Sequence, residues 1–127
     1  MEYDDELFLV VAPDVGFLRA IRLVAADAGR RAGMSVSEID DLRIAVDELV
    51  QALMNVTESR LVIRVAVHGA RAIILGAARR RRNDPPPRLH SVAALIVDAV
   101  SDHYELSHSP AEMWFVLAKT AAAVPVR

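Results

Sequence analysis

The chain has no cysteine among its 127 residues. A disulfide framework and a thiolate metal site are both excluded. Aromatic residues are scarce, at 5%, and none is interleaved in the basic run Arg79–Arg88, so stacking on single-stranded nucleic acid is a poor fit. Neither charge sign dominates: the formal net charge is -2 and the pI about 6.1, which gives no global case for nucleic acid or an anionic membrane as partner. No apolar run reaches the roughly 18 residues of a membrane span. The start, MEYDDELFLV, is acidic and lacks the basic n-region of a signal peptide. The expectation is a soluble cytoplasmic protein with no membrane association. What is abundant is apolar material: 54% of the residues are hydrophobic and the mean hydropathy is +0.27. That suffices for one core, and residues 1–127 read as a single domain with its core at about 7–119.

The most informative stretch is Asp40–Val56, DDLRIAVDELVQALMNV. Leu42, Val46, Leu49, Val50 and Leu53 fall on one helical stripe. Asp41, Ala45, Glu48, Ala52 and Asn55 follow a second. Ser37 is the expected N-cap, with Asp40 three residues on completing a capping-box-like start. One face packs; the other offers Glu48, whose plain reading is a solvated carboxylate.

Leu7–Val11 reads as a first strand closed by Ala12-Pro13. Asp14 is placed to cap a helix over about Val15–Ala32, with Phe17, Ile21, Val24 and Ala28 inward, Arg19, Arg22 and Arg30 outward, and Gly33 as its stop. Arg60–Val67 alternates as a strand, His68-Gly69-Ala70 turns, and Ala72–Ala78 returns. His68 reads as a surface residue of the turn. RRRRNDPPPR, from Arg79 to Arg88, suits neither helix nor central strand. It reads as an exposed loop: a solvated linker, or a basic surface for an acidic partner or phosphate groups. Ser91–Ser101 is apolar almost all round, which predicts a mostly buried helix. His103–Ser109 and Glu112–Lys119 form a last hairpin with Trp114 and Phe115 on opposite faces. The tail, Thr120–Arg127, is expected to fray. Hairpins make the sheet mostly antiparallel, and the order predicts an α/β two-layer sandwich with a mixed sheet and three helices on one face.

This order, with LRIAVDE at its centre, resembles the anti-sigma factor serine kinases of bacteria, within the histidine-kinase-like ATPase (GHKL) fold. The resemblance spans about Leu7 to Lys119. FLRAIRLVAADAG resembles the first helix of the family, DLRIAVDELVQAL the helix bearing its Glu-x-x-x-Asn motif, and AALIVDAVSDHYEL the stretch after its second glycine loop. RAIILGAARRRR stands where the family has Asp-x-Gly-x-Gly. The resemblance implies Glu48 as the residue that would polarise a hydroxyl. Ala52 takes the position of the magnesium-holding Asn, and a methyl group cannot ligate Mg²⁺. Gln51 and Asn55 are out of place to substitute. Gly76 is followed by alanines and arginines, with no aspartate before Asp84. Ser91-Val92-Ala93-Ala94 takes the second glycine loop, so Ser91 and Ala93 stand where glycine dihedrals are needed.

Three nucleotide-binding elements are therefore altered together. The implied protein keeps the fold and has no ATP, Mg²⁺ or other metal cofactor, since phosphoryl transfer rests on positioned metal and phosphate contacts. It would regulate transcription by binding a sigma factor, an anti-sigma antagonist, or both, as a homodimer. The residues implied to meet the partner are Arg19, Arg22 and the run Arg79, Arg80, Arg81 and Arg82. The alternative is an active ATP-dependent serine/threonine kinase with Glu48 as its catalytic residue. A third reading, a nucleic-acid accessory protein using Arg79–Arg82, predicts steeply salt-dependent DNA binding.

Overall fold

The structure, a computed structural model, describes residues 5–122. Strand β1 is Asp5–Val11. A 3-10 turn, Val15–Phe17, leads into helix α1, Leu18–Arg31. Helix α2 is Val36–Met54, strands β2 and β3 are Leu61–His68 and Arg71–Arg79, helix α3 is Ser91–Val100, and strands β4 and β5 are His103–His108 and Glu112–Thr120. The strand order is β1-β2-β3-β5-β4. Every pairing is antiparallel, so the expected two-layer α/β sandwich is present, but without a parallel pair.

Side chains that alternate along each strand sort onto two faces of the sheet. Leu61, Ile63, Ile74, Phe115 and Leu117 turn towards the helices and are fully buried. Against them lie Leu42, Val46, Leu49 and Leu53 of α2, each at 0–1% exposure. Burying one such side chain contributes about 1.5–3 kcal/mol. Helix α2 thus forms the middle of the core, as its stripe predicts. The inner face of α1 is Leu18, Ile21, Ala25 and Ala28; Phe17, expected inward, is 43% exposed.

Local chemistry moves two expected boundaries, and packing corrects a third expectation. Asp14 does cap, accepting from the Gly16 N–H at 2.8 Å, but it caps the 3-10 turn rather than α1 itself. Helix α2 starts earlier than expected. Its N-cap is Ser35, not Ser37, and Glu38, not Asp40, closes the capping box: the Glu38 N–H donates to Ser35 Oγ at 3.2 Å and Ser35 N–H donates to Glu38 Oε1 at 2.9 Å. Gly33 ends the preceding helix at φ 84°, a left-handed value that favours glycine. The third correction concerns α3. Only Ala93 and Val97 are buried, whereas Val92, Leu95 and Ile96 are 69%, 71% and 37% exposed. Of the expected tail, Thr120 closes β5; residues 123–127 lie outside the described residues.

Glu38 also joins the two ends of the fold, because its Oε2 accepts from the Ala122 N–H at 2.8 Å. The Ser35 N–H first and the Ala122 N–H second hold its carboxyl below the ordinary glutamate range. A lowered folded pKa stabilises the native state above the unfolded value, and that contribution disappears as pH falls through the folded value. Acid titration of stability should therefore steepen below about pH 4.3. Glu38→Gln should flatten that part of the curve in denaturant melts taken across pH 3–5; an unchanged acid limb would contradict it.

Candidate functional site

The Glu48 side of α2 is where the motif comparison places chemistry. Glu48 is half-buried, Ala52 is buried at 4% exposure and Asn55 is exposed. The space above them is a cavity of about 80 Å³, walled on the other side by Arg88, Leu89 and His90. Small-molecule pockets commonly run from about 300 Å³ upward. What narrows this one is the chain between β3 and α3.

That connection is held by its own polar groups. The Arg80 N–H donates to Ala111 O at 2.8 Å, and its guanidinium donates to Ser109 O and Asp84 O, both at 3.2 Å. Arg80 Nε is buried without a partner, alone among the described side-chain nitrogens and oxygens. The Arg81 N–H donates to Asp84 Oδ2 at 2.8 Å, and its side chain pairs with Glu58 at 2.9 Å. Thr57 Oγ1 donates to Arg79 O at 3.1 Å, tying the turn after α2 to the end of β3. Pro87 is buried. The arginine run is therefore divided: Arg80 braces the loop, Arg81 is ion-paired, and Arg79 and Arg82 are exposed. The loop is not wholly solvated, as its composition suggests. Its apolar Leu89 is half-buried beside α2.

Gly76 lies in mid-strand, opposite Phe115. A Cβ there would stand 2.2 Å from Phe115 Cε2, so the close packing of this ring accounts for the glycine. Ser91 is the exposed first residue of α3, and Ala93 faces the small cavity. The α3 N-cap, His90, makes no side-chain capping bond. Among the described residues no group of three or more His, Cys, Asp or Glu is placed to hold a metal ion.

Arg19 is exposed on α1, one turn before Leu23, which is 61% exposed. Arg22 is engaged within the chain, donating to both Asp47 carboxylate oxygens at 3.3 and 3.4 Å. A shallow groove between α1 and α2 runs past this pair, Arg43 and Ile44. The structure thus puts Arg19 and Arg22 on one helical surface, and no ion pair or hydrogen bond among the described residues joins them to Arg79–Arg82.

The sheet face away from the helices is the feature that sequence reading left open. Its central rows are Val10–Val62–Ala77–Trp114 and Phe8–Arg64–Leu75–Val116. Phe8, Val10 and Val62 are 59%, 60% and 43% exposed. Arg64, near its middle, pairs with Glu6 and lies 5.7 Å from the Phe8 ring centre, and the same row ends in exposed Glu105 on the edge strand.

No family model matches the chain, and no curated protein matches it. Among solved structures, it is similar to the crystal structure of the RsbU and RsbW domains of Rv1364c from Mycobacterium tuberculosis. The TM-score is 0.66 and the identity 14%, with 94% of this chain and 34% of that chain covered. The chain spans about a third of the length of that structure. At this identity the likeness is one of fold: a five-stranded antiparallel sheet beneath three helices.

Proposed function

We propose that the chain is a regulatory binding protein of the anti-sigma-factor kind, in which ATP binding and kinase activity are lost. The observation that carries this reading is the cavity of about 80 Å³ over Glu48, walled by Arg88, Leu89 and His90, with a buried alanine where an oxygen ligand for Mg²⁺ would be needed. The fold likeness to a protein with an RsbW domain, a name attached to anti-sigma factor serine kinases, supports the family. Glu48 keeps its place, but phosphoryl transfer rests on positioned metal and phosphate contacts, which Ala52, Ser91 and Ala93 are not suited to supply.

Binding, unlike phosphoryl transfer, needs only surface. Arg19 presents an unpaired guanidinium beside exposed Leu23, an arrangement suited to a carboxylate set in an apolar surround on a sigma factor or an anti-sigma antagonist. Arg79 and Arg82 extend the basic character; Arg22, Arg80 and Arg81 serve it less, being committed to Asp47, to loop carbonyls and to Glu58. The largely apolar sheet face suits a second copy of the chain, since two sheets pack face to face about 10 Å apart. The resulting homodimer would act in the cytoplasm, where sigma factors are found. The direct test is binding of the sigma factors of the same cell, measured with the native chain and with Arg19→Glu. Absence of binding to any sigma factor or antagonist would sink this reading.

A further inference from the structure

Helix α3 carries two apolar stripes. Ala93 and Val97 face the core. Val92, Leu95, Ile96 and Ala99 form a second stripe on the exposed side of the helix, with Val92 and Leu95 69% and 71% exposed and Ile96 37% exposed. Its spacing, i, i+3, i+4, i+7, is that of a helix packed on another helix. A helix apolar on both sides is expected to be covered on both.

The stripe is compatible with a second copy of the same helix. It is symmetric about the midpoint between Leu95 and Ile96. Laid antiparallel on a copy of itself, it sets Leu95 against Ile96 and Val92 against Ala99, each contact occurring twice, as an isologous interface requires. The flanking charges have the same symmetry. Exposed Arg88 stands at the N-terminal end, and exposed Asp98 and Asp102 at the C-terminal end. One Asp102 oxygen accepts from the Thr120 N–H, and its charge is not otherwise paired. Antiparallel pairing brings the basic end of one helix to the acidic end of the other and also opposes their macrodipoles favourably.

We propose that the outer face of α3 is a self-association surface, on which two copies pair α3 antiparallel about a two-fold axis between Leu95 and Ile96. This contact is separate from the sheet-face dimer. A ten-residue helix is only about 15 Å long, so the seam is smaller than the roughly 1,200 Å² of a stable interface. The association is accordingly weak and concentration-dependent.

Because the chain has no cysteine, a single introduced thiol reports the contact without background. Leu95→Cys sits beside the axis. Leu23→Cys, at a site 61% exposed on α1, is the control. Both are made in the Phe8→Glu background, which removes the sheet-face contact. Mild oxidation at high protein concentration should give about tenfold more disulfide-linked dimer for Leu95→Cys than for Leu23→Cys, because disulfides form only at close Cα approach. Sedimentation velocity on Phe8→Glu should show mass rising with concentration, and Leu95→Glu should abolish that rise. Equal cross-linking of the two cysteine variants would overturn the proposal. So would a Phe8→Glu protein whose mass stays that of one chain at every concentration.

Discussion

Gly76→Ala is expected to destabilise the fold by about 3 kcal/mol, at the upper end of the cost of overpacking a core. The corresponding fall in melting temperature is about 10 °C. The methyl group would meet three atoms of the Phe115 ring, at 2.2, 2.7 and 2.8 Å. Phe115 is fully buried, and the facing strands are in register at this pair, so the ring has no free direction. A partial rescue by Phe115→Leu in the Gly76→Ala background would identify the clash as the cause, through a coupling between the two sites. Gly76 also stands where the resembling family has its first glycine loop, and a glycine kept there for a nucleotide would answer differently. On that account the alanine variant would keep its melting temperature and change only ligand affinity. Thermal denaturation of the two variants separates the accounts.

Arg19→Glu is expected to leave stability within about 0.5 kcal/mol, as exposed substitutions usually do, and to weaken partner binding about 100-fold, the scale of losing a charge-assisted contact at an interface. Arg19 makes no hydrogen bond or ion pair among the described residues, so nothing in the fold depends on it. Arg22→Glu is the informative contrast. It removes the bond to Asp47 between α1 and α2, a partly solvated pair of the kind worth no more than about 1 kcal/mol, and so touches stability as well as surface. Titration of each variant against the sigma factor proposed as partner, with melts in parallel, reads both effects. Binding of Arg19→Glu equal to that of the native chain would place the interface elsewhere.

What could be read from the sequence were features carried by local periodicity. The stripe of α2 and the two hairpins declare themselves over a few residues, and so does the glycine stop at Gly33. The start of α2 was misplaced because two serines two residues apart both suit a cap. Ser35-Val36-Ser37-Glu38 is the better capping box, but Val36 sits at the first helical position, 78% exposed, and blurs the pattern. The burial of α3 was overestimated for a different reason. Periodicity reports that both sides of a helix are apolar, and not which side a neighbour covers. Gly76 with Phe115 and the walling of the small cavity by Leu89 depend on strand register and on where a long loop folds back. Neither is a property of a short window. The candidate site was accordingly legible as altered residue types at Ala52, Ser91 and Ala93, while its closure by the preceding loop was not.

The central claim, that this scaffold no longer binds nucleotide, is tested most directly by calorimetric titration of the native chain with Mg²⁺-ATP. A melting curve taken with excess Mg²⁺-ATP is the companion measurement. The account predicts no binding heat above dilution and no shift of the melt. Ligand at 100 times its Kd would add about 2.7 kcal/mol to native-state stability; a shift of that size, with saturable heat at one site per chain, would contradict the account.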